Sequence, residues 1–247
     1  MSLPPFPSTL VCLGLMMSPM SFLSASESVK PRVITFGDST TAPRGTVTVY
    51  TTQLEEEFPE VEFLNKGVGG NNTNMAGQRF AKDVLAQEPD VVVIQFGIND
   101  AAVDLWKTPP ATEPRVSLDE YEKNLRTFID QLREIEARVI LMTPNQTRWS
   151  PLTIDKYGHP PYDPEDPQGF TRILADYAER VRMVAKDMQV PLVDIYALYD
   201  AEDLKQAPCR DLLPDGMHPS EKGHAMVAEK LAPVLQSVLG QTASPTP

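Results

Sequence analysis

The sequence predicts one α/β domain in which a parallel sheet is covered by helices on both sides. Short apolar runs alternate with longer stretches in which apolar residues recur at helical spacing, which is typical of βαβ units. The run VVVIQF at 91–96 is continuously apolar at its start, as expected of a parallel strand buried on both faces. A chain of 247 residues, 41% hydrophobic and 23% charged, is long enough to bury such a core.

Five strands and three helices can be assigned from these patterns. The strands are predicted at Arg32–Phe36, Val61–Asn65, Asp90–Phe96, Arg138–Thr143 and Val190–Ile195. The first helix begins after Ser117, because a serine followed three residues later by Glu120 is a capping box, and its apolar stripe reaches Ile135. Two further stripes cover Leu174–Met188 and Val227–Val238. Because parallel strands end at one edge of a sheet, we expect the ligand site there.

Charge and cysteine content exclude several classes of protein. The chain has 34 acidic and 22 basic residues, a net charge of −12, which repels phosphate backbones and anionic lipid. We therefore expect neither nucleic-acid binding nor stable membrane association. The two cysteines, Cys12 and Cys209, form no CxxC motif, which excludes a disulfide scaffold and a cysteine-based zinc site.

The first 26 residues are predicted to be a signal peptide. An uncharged apolar run at 10–23 is too short to span a membrane and is followed by small residues at 24–26. No Lys or Arg precedes the run, so a disordered start is the alternative. Export predicts a secreted or periplasmic protein with a single domain at 27–240 and a polar tail at 241–247.

Prolines indicate where the walls of a site lie. The 24 prolines are about twice the average usage, and they concentrate in Lys107–Arg115 and Pro144–Pro167, downstream of predicted strands. Such loops are stiff, so we expect them to shape a site, with an inert surface loop as the alternative. Four acidic residues in the second loop lack the regular spacing of a calcium loop and are interpreted as a solvated face. They are Asp155, Asp163, Glu165 and Asp166.

Two polar segments follow the first two strands. Gly37-Asp38-Ser39 ends the first strand, where a serine hydroxyl is exposed at the sheet edge. The segment 65–73 follows the second strand, and its glycines let backbone amides approach a ligand closely. Each segment alone is typical of a turn. A dinucleotide-binding loop is disfavoured because Asn72 occupies the place of the third glycine.

Two further segments bring an amide and a histidine to the same edge. Asn99 follows the third strand, where its side-chain amide can be aimed at a developing oxyanion. Before the last helix, Gly216 lets the Asp215 carboxylate fold back onto His218 and hold one imidazole tautomer. His224 lies inside that helix and is interpreted as a packing or solvated residue.

In this order and at these strand ends, the segments together resemble the motifs of the SGNH (GDSL-type) hydrolases. The matching residues are Gly37-Asp38-Ser39, Gly70, Gly97-x-Asn99-Asp100 and Asp215-x-x-His218. The resemblance runs from about residue 32 to about residue 239. It implies a flavodoxin-like, three-layer α/β/α fold and acyl-ester hydrolysis without a metal or organic cofactor. The continuation Gly-Asp-Ser-Thr-Thr departs from the family's usual leucine, and in this it is similar to rhamnogalacturonan-type acetylesterases.

The resemblance also implies a role for each matching residue. Ser39 is expected to be the nucleophile, His218 its base and Asp215 the group that orients the histidine. The amides of Ser39 and Gly70, with the Asn99 side chain, are expected to form the oxyanion hole. The acidic residues expected to support the site are Asp38 and Asp100.

These residues predict a secreted serine esterase that cleaves short-chain O-esters, acetyl groups on carbohydrates in particular, through an acyl-enzyme on Ser39. Trp149 and Tyr157 are candidates for substrate contact, and Trp149 is equally a candidate for packing. The alternatives are a lipid or aryl esterase of the same family, a non-catalytic carbohydrate-binding module and an O-acetyltransferase. An α/β-hydrolase is excluded because no serine has the Gly-x-Ser-x-Gly context.

Overall fold

The computed structural model describes Met1, residues 30–201 and residues 211–240, and a five-stranded parallel sheet lies at its centre. The strands are β1 (Arg32–Gly37), β2 (Glu62–Gly67), β3 (Val91–Gln95), β4 (Arg138–Met142) and β5 (Leu192–Val193). Their order is β2-β1-β3-β4-β5, and each neighbouring pair is parallel. This is the flavodoxin-like order. The predicted signal segment, both cysteines and the predicted tail lie outside the described residues, apart from Met1.

Helices cover both faces of the sheet, which confirms the predicted fold class. The helices among the described residues are α1 (Tyr50–Glu57), α2 (Thr73–Asp83), α3 (Ile98–Ala101), α4 (Leu118–Glu134), α5 (Pro151–Tyr157), α6 (Arg172–Asp187), α7 (Ile195–Ala201) and α8 (Glu221–Gly240). One apolar core joins the sheet to α2, α4 and α6, and a second joins it to α1, α7 and α8. Within β1, Ile34 faces the first core and Val33 the second, because successive strand residues point to opposite faces.

The five predicted strands are all present, and β5 differs most from its prediction. It has two residues where six were predicted, because it pairs with β4 only through Leu192 and Val193. Pro191 has no amide hydrogen to extend the ladder. Beyond the strand, the Asp194 carboxylate accepts a hydrogen bond from the Ala197 amide at 3.0 Å and starts α7. No helix in the described ranges is long and apolar enough to span a membrane.

Candidate active site

β1 ends in a turn that presents Ser39 at the carboxyl edge of the sheet. The Asp38 carbonyl accepts a hydrogen bond from the Thr41 amide at 3.2 Å. The Asp38 carboxylate, which is buried, accepts from the amide of Thr40 at 2.8 Å and from its hydroxyl at 2.9 Å. A Cβ on Gly37 would lie 2.2 Å from the Thr41 hydroxyl, so the turn requires glycine there. The half-buried Ser39 is therefore held by a closely packed turn.

The structure brings Ser39, His218 and Asp215 into one hydrogen-bonded line. The Ser39 Oγ lies 2.9 Å from His218 Nε2, although 179 residues separate them in the chain. His218 Nδ1 lies 2.8 Å from Asp215 Oδ2. Both distances are those of hydrogen bonds, and the order of the three groups is that of a Ser-His-Asp triad. The arrangement can transfer the serine proton to the imidazole while the carboxylate stabilises the imidazolium.

The Asp215 carboxylate is saturated with donors. Its Oδ1 accepts from the amides of Met217 at 3.0 Å and His218 at 2.8 Å. Its Oδ2 also accepts from Arg44 Nη2 at 2.7 Å. Burial alone would raise the pKa of Asp215, but the hydrogen bonds from His218 and Arg44 hold that pKa well below its usual value. Asp215 is thus ionised throughout the neutral pH range.

The loop after β4 fixes the segment that carries the histidine. Gly216 has a φ of +82°, and a Cβ there would lie 2.3 Å from the Arg148 carbonyl oxygen. The Arg148 amide donates to the Gly216 carbonyl at 2.6 Å, and the Ser150 hydroxyl donates to the Asp215 carbonyl at 2.8 Å. Only glycine combines this left-handed conformation with so close an approach. The proline-rich loop is therefore a support for the aspartate and histidine.

The loop after β2 places an exposed backbone amide beside the β1 turn. The Val68 amide donates to the Gly37 carbonyl at 3.0 Å, and the Asn71 amide donates to the Val68 carbonyl at 3.2 Å. Gly70 lies in that second turn with a φ of +76°. Within the part of the chain that the structure describes, the amides of Ser39 and Gly70 donate no hydrogen bond. Both amides are thus available to an oxyanion.

Asn99 faces the same turn from the end of β3. Its Nδ2 lies 3.4 Å from Asp38 Oδ2, and its Oδ1 accepts from Arg115 Nη1 at 3.0 Å. Because only the amide oxygen can accept from arginine, the amide nitrogen points toward the turn that holds Ser39. The role of the Ser39, Gly70 and Asn99 amide groups as the three donors of an oxyanion hole stays a prediction.

Asp100 is a fully buried carboxyl that joins the β3 loop to α2. Its Oδ1 accepts from the Thr73 amide at 2.8 Å and the Thr73 hydroxyl at 2.6 Å. Its Oδ2 has no hydrogen-bond partner among the described residues. Burial raises the pKa of Asp100 to about 7, despite the opposing hydrogen bonds from Thr73. Its hydrogen bonds within the described residues go to Thr73 and not to the triad, so its supporting role stays a prediction.

Comparison with known proteins shows to which family the chain belongs. Residues 35–226 match the GDSL-like Lipase/Acylhydrolase family. The chain belongs to this family. It is 32% identical over 180 residues to an acetylxylan esterase of Geobacillus stearothermophilus, covering 71% of this chain and 73% of that protein. It is 27% identical over 188 residues to the rhamnogalacturonan acetylesterase RhgT of Bacillus subtilis (strain 168), covering 68% and 71%.

A solved structure of the same family has the same fold. The acetylxylan esterase Axe2 of Geobacillus stearothermophilus superposes with a TM-score of 0.64 at 27% identity. The match covers 87% of this chain and 97% of that one. The chain is therefore an SGNH esterase related to acetylxylan esterases, as the motifs predicted.

A small cavity of this esterase is lined in part by Asn99. It has a volume of about 40 Å³ and is lined by Asn99, Ile98, Met217, Thr147 and the buried aromatic ring of Tyr157, among others. Met217 lies between Asp215 and His218 in the chain, although Ser39, Asp215 and His218 themselves do not line the cavity. Tyr157 is thus a wall residue, and its contact with substrate stays a prediction.

Both the ring face and the ring nitrogen of Trp149 contact other residues of the protein. The ring stacks on Phe170 at a centroid distance of 5.0 Å, and its Nε1 donates to the Asp166 carbonyl at 2.9 Å. Trp149 therefore has the packing role that the sequence offered as one of two possibilities, and its contact with substrate stays a prediction. Trp106 is 58% exposed and directly precedes the other proline-rich loop. No sequence pattern distinguished it from Trp149.

The remaining histidines lie away from the hydrogen-bonded line. His224 is buried in α8 against the ring of Tyr50, at a centroid distance of 6.0 Å, and burial lowers its pKa to about 4. His159 is exposed. Sequence analysis did not identify Arg44 or Arg115, which contact Asp215 and Asn99, because neither belongs to a motif.

Proposed function

We propose that this SGNH esterase hydrolyses acetyl esters of carbohydrates through an acyl-enzyme on Ser39. The observation that carries the proposal is the continuous hydrogen-bonded line from Ser39 Oγ through His218 to Asp215, with distances of 2.9 and 2.8 Å. A hydroxyl is a weak nucleophile unless a base takes its proton, and the imidazole is in position to do so.

Acylation begins when His218 Nε2 takes the Ser39 proton and the oxygen attacks the ester carbonyl. The resulting oxyanion accepts hydrogen bonds from the Ser39 and Gly70 amides and the Asn99 side chain. His218 then gives its proton to the leaving alcohol, and the acyl group stays on Ser39. Asp215 stays ionised throughout and stabilises the imidazolium.

Deacylation repeats these steps with water as the nucleophile. His218 takes a proton from water, and the hydroxide attacks the acyl carbonyl in the same donor site. Collapse of the second tetrahedral intermediate returns the proton to Ser39 and releases the carboxylic acid. A sugar hydroxyl in place of water would make the reaction an acetyl transfer, which a competition between water and a sugar alcohol would reveal.

The cavity beside Asn99 favours a short acyl group. The cavity measures only about 40 Å³, so we expect it to accommodate an acetyl group more readily than an octanoyl chain. This supports an acetylesterase over the lipid esterase that the sequence left open.

The carbohydrate part of the proposal rests on the two relatives, whose names assign them acetyl groups on xylan and rhamnogalacturonan. We also propose export, supported by the apolar run at 10–23, whose residues lie outside the described part of the chain. A carbohydrate-binding module without activity has less support, because Ser39, His218 and Asp215 lie at hydrogen-bond distance from one another in the order that turnover requires.

Acetate release by the Ser39→Ala variant tests the proposal. Against 4-nitrophenyl acetate and a panel of acetylated polysaccharides, we expect a loss of at least about 1000-fold, because the nucleophile is absent. Ser117→Ala is a matched control, since the hydroxyl of that serine caps α4 by accepting a hydrogen bond from the Glu120 amide and lies outside the site. It should lose about 1 kcal/mol of stability and no activity. Normal turnover by Ser39→Ala would refute the mechanism.

A further inference from the structure

Arg115 lies in the proline-rich loop before α4 and bridges two side chains. Its Nε and Nη2 both donate to Asp104 Oδ1, at 2.9 and 2.6 Å. The third nitrogen, Nη1, donates to Asn99 Oδ1 at 3.0 Å. One edge of the guanidinium is thus bound to a carboxylate, while the other reaches the side-chain amide of Asn99.

The carboxylate that holds the guanidinium is itself buried and binds two cationic side chains. The Asp104 side chain is only 3% exposed, and its second oxygen pairs with Lys107 Nζ at 2.6 Å. Burial alone would raise the pKa of Asp104, but the bonds from Arg115 and Lys107 keep that pKa below its usual value. The Arg115 amide also donates to the Ala102 carbonyl at 3.0 Å, which ties the loop to the end of α3. Little freedom is left to the arginine.

The orientation of an asparagine amide depends on such a partner. Its oxygen and nitrogen have nearly the same shape, so rotation by half a turn exchanges an acceptor for a donor. In the opposite orientation, Asn99 Oδ1 would face Asp38 Oδ2, which Nδ2 contacts at 3.4 Å, and would offer the proposed oxyanion an acceptor in place of a donor. A cationic donor on Oδ1 excludes that orientation and polarises the amide, which strengthens the N–H donor on the other side.

We propose that Arg115 is the positioning residue for the oxyanion donor Asn99. The inference rests on the proposed function, in which Asn99 Nδ2 contacts the oxyanion, and it assigns a purpose to the stiff loop at 107–115. Arg115 acts through Asn99 and does not itself contact the substrate. Its contribution is therefore made in the transition state and not in substrate binding.

Steady-state kinetics with 4-nitrophenyl acetate test the proposal through a double-mutant cycle. Asn99→Ala should lower kcat by about 100- to 1000-fold, the usual cost of one oxyanion donor. Arg115→Ala should lower kcat by about 10- to 100-fold with little change in KM, because the donor is misaligned and not deleted. The double variant should match Asn99→Ala within a small factor, because Arg115 has no remaining residue to position.

Two further measurements separate positioning from general loss of structure. Millimolar guanidinium chloride, far below denaturing concentrations, should restore kcat to Arg115→Ala and have no effect on the double variant. Arg182→Ala is the matched control, because Arg182 also binds a carboxylate through Nε and Nη2, that of Asp194, at 2.8 and 3.1 Å. Its Nη1 donates to Glu179 at 3.0 Å, and its side chain is 29% exposed against 24% for Arg115. It should lose stability and keep its kcat.

The outcomes distinguish the inference from the proposed function. The inference is overturned if Arg115→Ala leaves kcat unchanged. It is also overturned if the loss of kcat in the double variant equals the product of the two single losses. Either result leaves the oxyanion role of Asn99 intact. Full activity in Asn99→Ala overturns that role and the inference with it. If Arg115→Ala does not fold, Arg115→Lys replaces it, since lysine keeps the charge beside Asp104 but cannot reach both partners as a fork does.

Discussion

Shortening Met217 to alanine should widen the range of acyl groups that the esterase accepts. The side chain of Met217 lines the cavity of about 40 Å³ beside Asn99. Its backbone amide bonds to Asp215 at 3.0 Å, and its carbonyl accepts from the Asn145 side chain at 3.0 Å. Alanine keeps both backbone bonds, so the substitution changes the size of the cavity without removing a support of His218.

The magnitude follows from the two methylenes that distinguish a butyryl from an acetyl group. A hydrophobic pocket that does not fit an added methylene discriminates by about 1–3 kcal/mol, so two methylenes should make the native enzyme at least about 30-fold less efficient with butyrate than with acetate. The variant loses three heavy atoms from the wall. In the variant, the two extra methylenes of butyrate can be buried at about 0.8 kcal/mol each. This stabilisation of about 1.6 kcal/mol should raise kcat/KM for butyrate by roughly 15-fold.

The assay compares kcat/KM for 4-nitrophenyl acetate, butyrate and octanoate in both proteins. Met183→Ala is a suitable control, because Met183 is 45% exposed on α6 and lines no part of the cavity. We expect the ratio of butyrate to acetate to rise in Met217→Ala and to stay constant in the control. An unchanged ratio in Met217→Ala, or a native enzyme that prefers octanoate, would show that the acyl group binds elsewhere.

Two other predictions concern the buried carboxyl and the N-terminus. Burial raises the pKa of Asp100 to about 7, above its unfolded value, so the native state binds the extra proton and the free energy of unfolding falls as pH rises from about 4 to about 7. The Asp100→Asn variant cannot titrate at this position, so its free energy of unfolding should fall by roughly 2–3 kcal/mol less than that of the native protein between pH 5 and pH 8. Denaturant titrations in which the two proteins differ in stability by the same amount at both pH values would contradict this. If the protein is exported, N-terminal sequencing of the extracellular form should begin near residue 27, and recovery of an intact N-terminus from the cytoplasm alone would argue against cleavage.

The features that sequence could predict are those that depend on neighbouring residues. Apolar periodicity located the five strands and the long helices α4, α6 and α8, and the parallel topology brought the ends of β1, β2 and β3 to one edge. Four turn segments at that edge were sufficient to identify Ser39, Asn99 and His218 as candidates. Short helices such as α1 and α5 escaped prediction, because one or two turns contain too few residues to show a period.

The sequence by itself thus determined the fold class, the edge where the site lies and the chemical groups available there. The tertiary structure alone decided which groups meet. It packed Trp149 against Phe170, left Trp106 exposed, and joined Arg44 to Asp215 across 171 residues and Arg115 to Asn99 across 16. The residues that form a turn are neighbours in the chain, so a sequence motif can predict the turn. Contacts between distant side chains depend on how whole helices and strands pack, and the spacing of residues in the sequence does not predict that packing.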